Sequence, residues 1–128
     1  LSIDKEYIYH GNMFANSGAA AVDYFLDLPP NDKPSAILSC GDMMTIGCVD
    51  ALTKREVHIP RDLSLVSFDD PDYFKFLAPS MTCFAQPTES FGREAARLLT
   101  DAIEEDVYVP ATIRLKGEFK QRKSVTQI

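Results

Sequence analysis

The feature that most constrains this chain is the order in which its apolar runs change period. Ala36-Ile37-Leu38-Ser39-Cys40 is continuous and apolar, as a buried parallel strand is. Asp42 then opens a stretch in which Met43, Ile46, Val49 and Leu52 recur on one helical face, and Leu63 to Phe68 is β-rich again until Asp69-Asp70-Pro71 closes it. Upstream, Tyr7 to His10 fits a strand ended by Gly11-Asn12. Ala21, Val22, Phe25 and Leu26 then mark a helix with Ser17 as its cap and Pro29-Pro30 as its stop. Strand, helix, strand, helix, strand with short loops predicts an α/β fold, an open and mainly parallel sheet with helices on both faces. Gly47 is expected to let the second helix lie close to that sheet. In such a sheet the functional groups gather at the carboxyl ends of the strands, where Asn12, Asp42 and Asp69 fall.

The rest of the chain extends the pattern. Met81 to Ala85 reads as a fourth strand ended by Gln86-Pro87, and Thr88 caps a helix with Phe91, Ala95, Leu98, Leu99, Ala102 and Ile103 on one face. Thr112 to Phe119 alternates as an edge strand does. With 128 residues, 45% hydrophobic and 25% charged, the chain has enough apolar surface for one domain core, which excludes disorder and coiled coil. No apolar run reaches the roughly 20 residues of a membrane helix, and Leu1 to Tyr9 lacks a signal-peptide pattern. A cytoplasmic protein without membrane contact is expected, and a start without Met in a polar connector suggests a fragment.

A formal net charge of −6 disfavours binding to phosphate backbones, which relies on Lys and Arg. Lys120, Arg122 and Lys123 read as a solvated strand end. Cys40, Cys48 and Cys83 lack Cys-x-x-Cys spacing and read as buried free thiols of a reducing compartment. Asp69, Asp70 and Asp72 could attract a hard cation, but Asp-Asp-Pro-Asp is ordinary turn chemistry without a phosphate-cradling Gly-rich loop. His10 and His58 lack a metal-binding spacing and read as structural or exposed. No nucleophile elbow, Cys-base pair or dinucleotide fingerprint occurs. Neither catalysis nor a metal or cofactor is expected. Asp42 remains: a carboxylate at a strand's end and a helix's first turn can cap the helix or accept ligand hydroxyls.

Ala36 to Gly47 (AILSCGDMMTIG), Ile59 to Asp70 (IPRDLSLVSFDD), Pro79 to Pro87 (PSMTCFAQP) and Gly92 to Leu99 (GREAARLL) resemble, in order and spacing, the C-terminal half of LacI/GalR repressors. Gly11 to Gly18 and the ending Gly117 to Val125 extend the resemblance over nearly the whole chain. It implies one lobe of a type I periplasmic-binding-protein-like fold that senses a small polar effector such as a sugar and controls operator DNA through a helix-turn-helix outside this chain. A periplasmic sugar-binding protein of a transport system is the alternative. Residues 1–86 and 110–128 would form the C-terminal lobe, and the crossover helix 88–106 would belong to the other lobe. By position Asp42 matches the family's ligand-binding Asp and Gln86 a polar hinge residue, the two being expected at the ends of neighbouring strands. Gly41 replaces the usual Asn, Asn12 stands where Asp is typical, and Met13 replaces a stacking aromatic for which Phe14 could substitute by a register shift. The resemblance also places a homodimer contact on the loop carrying Tyr73, Phe74, Phe76 and Leu77.

Overall fold

The computed structural model describes residues 3–104 and 110–126. A short 3-10 turn, Lys5–Tyr7, precedes α1 (Ala15–Leu26), β1 (Ala36–Ser39), α2 (Asp42–Lys54) and β2 (Ser64–Phe68). A second 3-10 turn, Asp72–Phe76, leads to β3 (Thr82–Ala85), α3 (Thr88–Glu104) and β4 (Glu118–Lys120). The strands form one sheet in the order β1-β2-β3-β4, with β1, β2 and β3 parallel and β4 antiparallel to β3. An open, mostly parallel α/β sheet is therefore present.

Strand register explains the layering. Ile37 pairs with Leu65 and Ser39 with Ser67, and this side carries the core, where Ile37 and Leu65 meet Val22 and Phe25 of α1, Leu52 of α2, Phe74 and Met81. Leu38, Phe68, Phe84 and Phe119 lie on the opposite side and are exposed, the Phe68 and Phe84 rings stacked with centroids 5.5 Å apart. Both α1 and α2 therefore cover the same face. α3 carries no buried residue, and its stripe of Phe91, Leu99 and Ile103 is open to solvent.

Several local expectations change. Tyr7–His10 is not a strand: Lys5–Tyr7 is a 3-10 turn and Ile8 to His10 pair with nothing in the sheet, because a strand exists only through a neighbour's ladder. Ser17 is not the cap of α1. Phe14 holds that position, and the Ser17 hydroxyl inside the first turn accepts the Asn12 N–H at 3.1 Å and donates to the Phe14 carbonyl at 2.9 Å. Gly47 faces a helix rather than the sheet, since a Cβ there would drive into the Ala15 carbonyl of α1. Gly18 faces the Met44 carbonyl in the same way, so α1 and α2 cross with backbones nearly touching. Of the alternating segment Thr112 to Phe119, only its end is in β4. Cys48 and Cys83 are buried but Cys40 is exposed.

The basic tail is not merely a solvated end. Arg122 grips Asp70 with both guanidinium nitrogens, at 2.7 and 2.9 Å, and donates to the Met81 carbonyl at 2.8 Å, while Lys120 reaches the same carboxylate at 2.9 Å. The guanidinium, then the ammonium, hold the Asp70 carboxyl far below the usual carboxylate range despite opposing burial. Two residues on, buried Ser124 wedges between the starts of β2 and β3. Its carbonyl accepts the Leu65 N–H, while its hydroxyl accepts the Thr82 N–H and donates to the Leu65 carbonyl.

Candidate functional site

The carboxyl ends of β1, β2 and β3 present Asp42, Asp69 and Gln86 along one edge. Asp42 is not the N-cap of α2 but its first helical residue, with Gly41 in the cap position. The Met13 methyl lies 2.8 Å from where a Gly41 Cβ would stand, so this flexible side chain fills the space beside the cap. Thr45 instead anchors this turn, its hydroxyl 2.8 Å from the Gly41 carbonyl and 2.8 Å from the Ser67 hydroxyl of β2.

Asp42 is half-buried, one oxygen accepting the Met43 N–H at 2.7 Å and the other the Tyr73 hydroxyl at 3.3 Å. Burial, and then the Asp42 charge, push the Tyr73 phenol up. Each carboxylate oxygen accepts two hydrogen bonds, so capacity for an external hydroxyl remains. Asn12, Met13 and Phe14 run past this turn on the exposed approach to α1. The Asn12 amide oxygen accepts the Phe14 N–H at 3.1 Å, and Met13 has a φ of 66°. Phe14 is 64% exposed and caps α1 with backbone only.

Gln86 is not on a strand adjacent to that of Asp42, because β2 runs between β1 and β3. Its amide donates to Asp69, which follows β2 and has a φ of 100°. The structure thus makes two pairs at one edge, Asp42 with Tyr73 and Asp69 with Gln86, and no hydrogen bond joins one to the other. Left-handed backbone at the non-glycine residues Met13 and Asp69 is costly, and such strain concentrates where a site is shaped. Tyr73 had been assigned to a partner contact, and no periodicity in the sequence could have placed its hydroxyl on a carboxylate 31 residues away.

The aspartate run does not gather. Asp69 meets Gln86, Asp70 meets Arg122 and Asp72 meets Lys75, and among the described residues no group of His, Cys, Asp and Glu could hold a metal ion. His10 and His58 are exposed, the latter beside Arg61 at 2.8 Å. In the loop expected at a dimer contact, Phe74 is 0% exposed within the core and has no surface to offer a partner, whereas Phe76 is 77% exposed. Leu77 packs partly against the same core. Among the described residues no helix is long and apolar enough to cross a membrane.

Comparison with known proteins agrees with this architecture. The family model described as a periplasmic binding protein-like domain matches residues 2–125. The HTH-type transcriptional repressor CytR of Escherichia coli (strain K12) is 34% identical over 104 residues, which is 81% of this chain and 30% of the relative. The crystal structure of a putative transcriptional regulator LacI from Bacillus cereus subsp. cytotoxis superposes with a TM-score of 0.91 at 27% identity, over 98% of this chain and 44% of that one. A transcriptional regulator CelR–cellobiose complex superposes with a TM-score of 0.86 at 31% identity, over 97% and 37%. The chain therefore spans less than half the length of these relatives. With the sheet order, the edge of polar residues and these likenesses in agreement, the chain belongs to the periplasmic-binding-protein-like domain family, in the form carried by LacI-type transcriptional regulators.

Proposed function

We propose that this chain is the effector-sensing lobe of a cytoplasmic LacI-type repressor, acting without catalysis and controlling operator DNA through a helix-turn-helix outside residues 1–128. The observation that carries the reading is the half-buried Asp42 carboxylate at the first turn of α2 and the carboxyl end of β1, where ligands of open α/β sheets bind. Asp42 and Gln86 supply the polar contacts, and Asn12, Met13 and Phe14 the approach to them. A sugar or similar polyol suits a carboxylate and an amide, and the structural relative bound to cellobiose supports that class. The exposed apolar stripe of α3 supports its assignment as a crossover helix that packs on a second lobe.

Screening the full-length protein by thermal shift against cellobiose, other sugars, nucleosides and sugar phosphates is expected to raise its melting temperature with at least one of them. Asp42→Asn then weakens that ligand by about 1–3 kcal/mol in calorimetry, the worth of a charge-assisted hydrogen bond, with folding little changed. Unchanged affinity would remove Asp42 from the site. A homodimer through the exposed Phe76 belongs to the same reading. Phe76→Asp is expected to shift the full-length protein towards monomer in sedimentation, and an unaltered assembly would move the contact elsewhere.

A further inference from the structure

Tyr73 reaches Asp42 from a loop rather than from a strand end, and the effector reading gives it no role. Its place is fixed by its neighbours. Phe74 is fully buried in the core, its N–H donating to the Pro71 carbonyl at 3.0 Å and its carbonyl accepting the Met81 N–H at 3.1 Å. The Tyr73 ring stands edge-on to the Phe74 ring with centroids 5.2 Å apart. Asp72 and Lys75 pair with each other at 3.0 Å and Lys75 lies over the Phe76 ring, which leaves the phenol as the contact of this turn with Asp42. The Tyr73 hydroxyl commits its one hydrogen to one Asp42 oxygen, and the Met43 N–H donates to the other. Each carboxylate oxygen keeps one lone pair, and the phenol oxygen keeps its capacity to accept. Together they can only accept, so they suit a ligand that offers hydrogens close together. Without the phenol, a single N–H contact leaves the carboxylate free to turn, since the last torsion of an Asp side chain is only broadly restricted.

We infer that Tyr73 is a positioning residue of the effector site: its hydroxyl orients the Asp42 carboxylate so that the two remaining lone pairs receive adjacent hydroxyls of one uncharged polyol. The inference rests on the reading of Asp42 as a ligand group. At 3.3 Å the contact is longer than the roughly 2.7 Å of a tight O–H···O bond, and Tyr73 is 40% exposed, so water competes for the bond and it adds little to folding. A ligand that covers Asp42 excludes that water, and the bond strengthens in the drier site. A mere latch of the loop onto α2 would act on stability and leave affinity alone.

Calorimetry of the full-length protein with D-ribose, D-glucose and cellobiose as probes tests this. Tyr73→Phe, which keeps the ring, should weaken the tightest of these sugars by about fivefold or more at an unchanged melting temperature, and Asp42→Asn should weaken it further. The double variant should bind no worse than Asp42→Asn alone, because Tyr73 acts only through the carboxylate it orients. Burial and then the Asp42 charge raise the Tyr73 phenol, so Asp42→Asn should also lower the pH at which one tyrosine ionises in ultraviolet absorbance. Unchanged affinity in Tyr73→Phe, losses that add in the double variant, or a phenol titration unmoved by Asp42→Asn would overturn the inference while leaving Asp42 in the site. Binding indifferent to Asp42→Asn, or binding of none of the probes, would overturn it together with the polyol reading on which it rests.

Discussion

Gly47→Ala is expected to cost more than about 4 kcal/mol, or to prevent folding altogether, although alanine is the better helix former. The new methyl would occupy the space of the Ala15 carbonyl oxygen, and backbone cannot swing aside as a flexible side chain can. α1 would have to lift from α2, opening the packing around Val22, Cys48 and Leu52. Gly92→Ala in exposed α3 is the control: a Cβ there meets nothing within 4 Å, so helix propensity alone acts and about 1 kcal/mol of stabilisation should appear. Urea denaturation of the two variants should move the midpoint in opposite directions. Equal behaviour would mean that the close crossing of α1 and α2 is not held in solution.

The second large effect concerns acid. Asp70 is almost enclosed, with 10% of its side chain exposed, and its folded pKa is depressed by Arg122 and Lys120. A depressed carboxyl adds stability that is complete above the unfolded value of about 3.9 and is lost as the pH falls towards the folded value. The wild-type chain should therefore lose stability progressively from about pH 5 down to pH 2. Asp70→Asn is expected to lower stability at pH 7 by about 3 kcal/mol, since it leaves the guanidinium half-buried without its counter-charge, and to flatten that acid limb. A variant whose midpoint falls with pH as steeply as the wild type's would show that other carboxylates govern acid unfolding.

What could be read from sequence follows from the range of the forces involved. The runs that became β1, β2 and β3 declared themselves as β-rich segments between turn residues, although Leu38 of β1 is exposed rather than enclosed. The stripe read for α2 was not its buried face: Met43 is exposed and Ile46 and Val49 only partly covered, while Met44, Cys48 and Ala51 join Leu52 in being buried. The start of α3 was legible to within one residue, Thr88 being its first helical residue rather than its cap and the Pro87 carbonyl accepting the Phe91 N–H at 2.9 Å. Tyr7 to His10 misled for the opposite reason: its composition suits a strand, but strandedness belongs to a pair of segments. The Asp70–Arg122 pair could not be read either, because it spans 52 residues. The candidate site was legible as a list of residues at strand ends. Its division into Asp42 with Tyr73 and Asp69 with Gln86 was not, because both pairs depend on where loops return.

The wedge formed by Ser124 sets the order in which the molecule can be completed. Leu65 and Thr82, at the starts of the two middle strands, each lack a main-chain partner until a residue 59 and 42 positions later arrives. During synthesis α1, β1 and α2 can assemble from nearby sequence as they emerge, and β2 and β3 can pair from Val66 and Thr82 onward, but the wedge at their starts forms only after the segment around Ser124 has left the ribosome. At elongation rates of roughly 5–20 residues per second, the half-closed sheet persists for several seconds with its inner strands open to water. Sealing of this lobe is thus a late event that waits on translation, and the interval before it is when a chaperone has the most surface to hold.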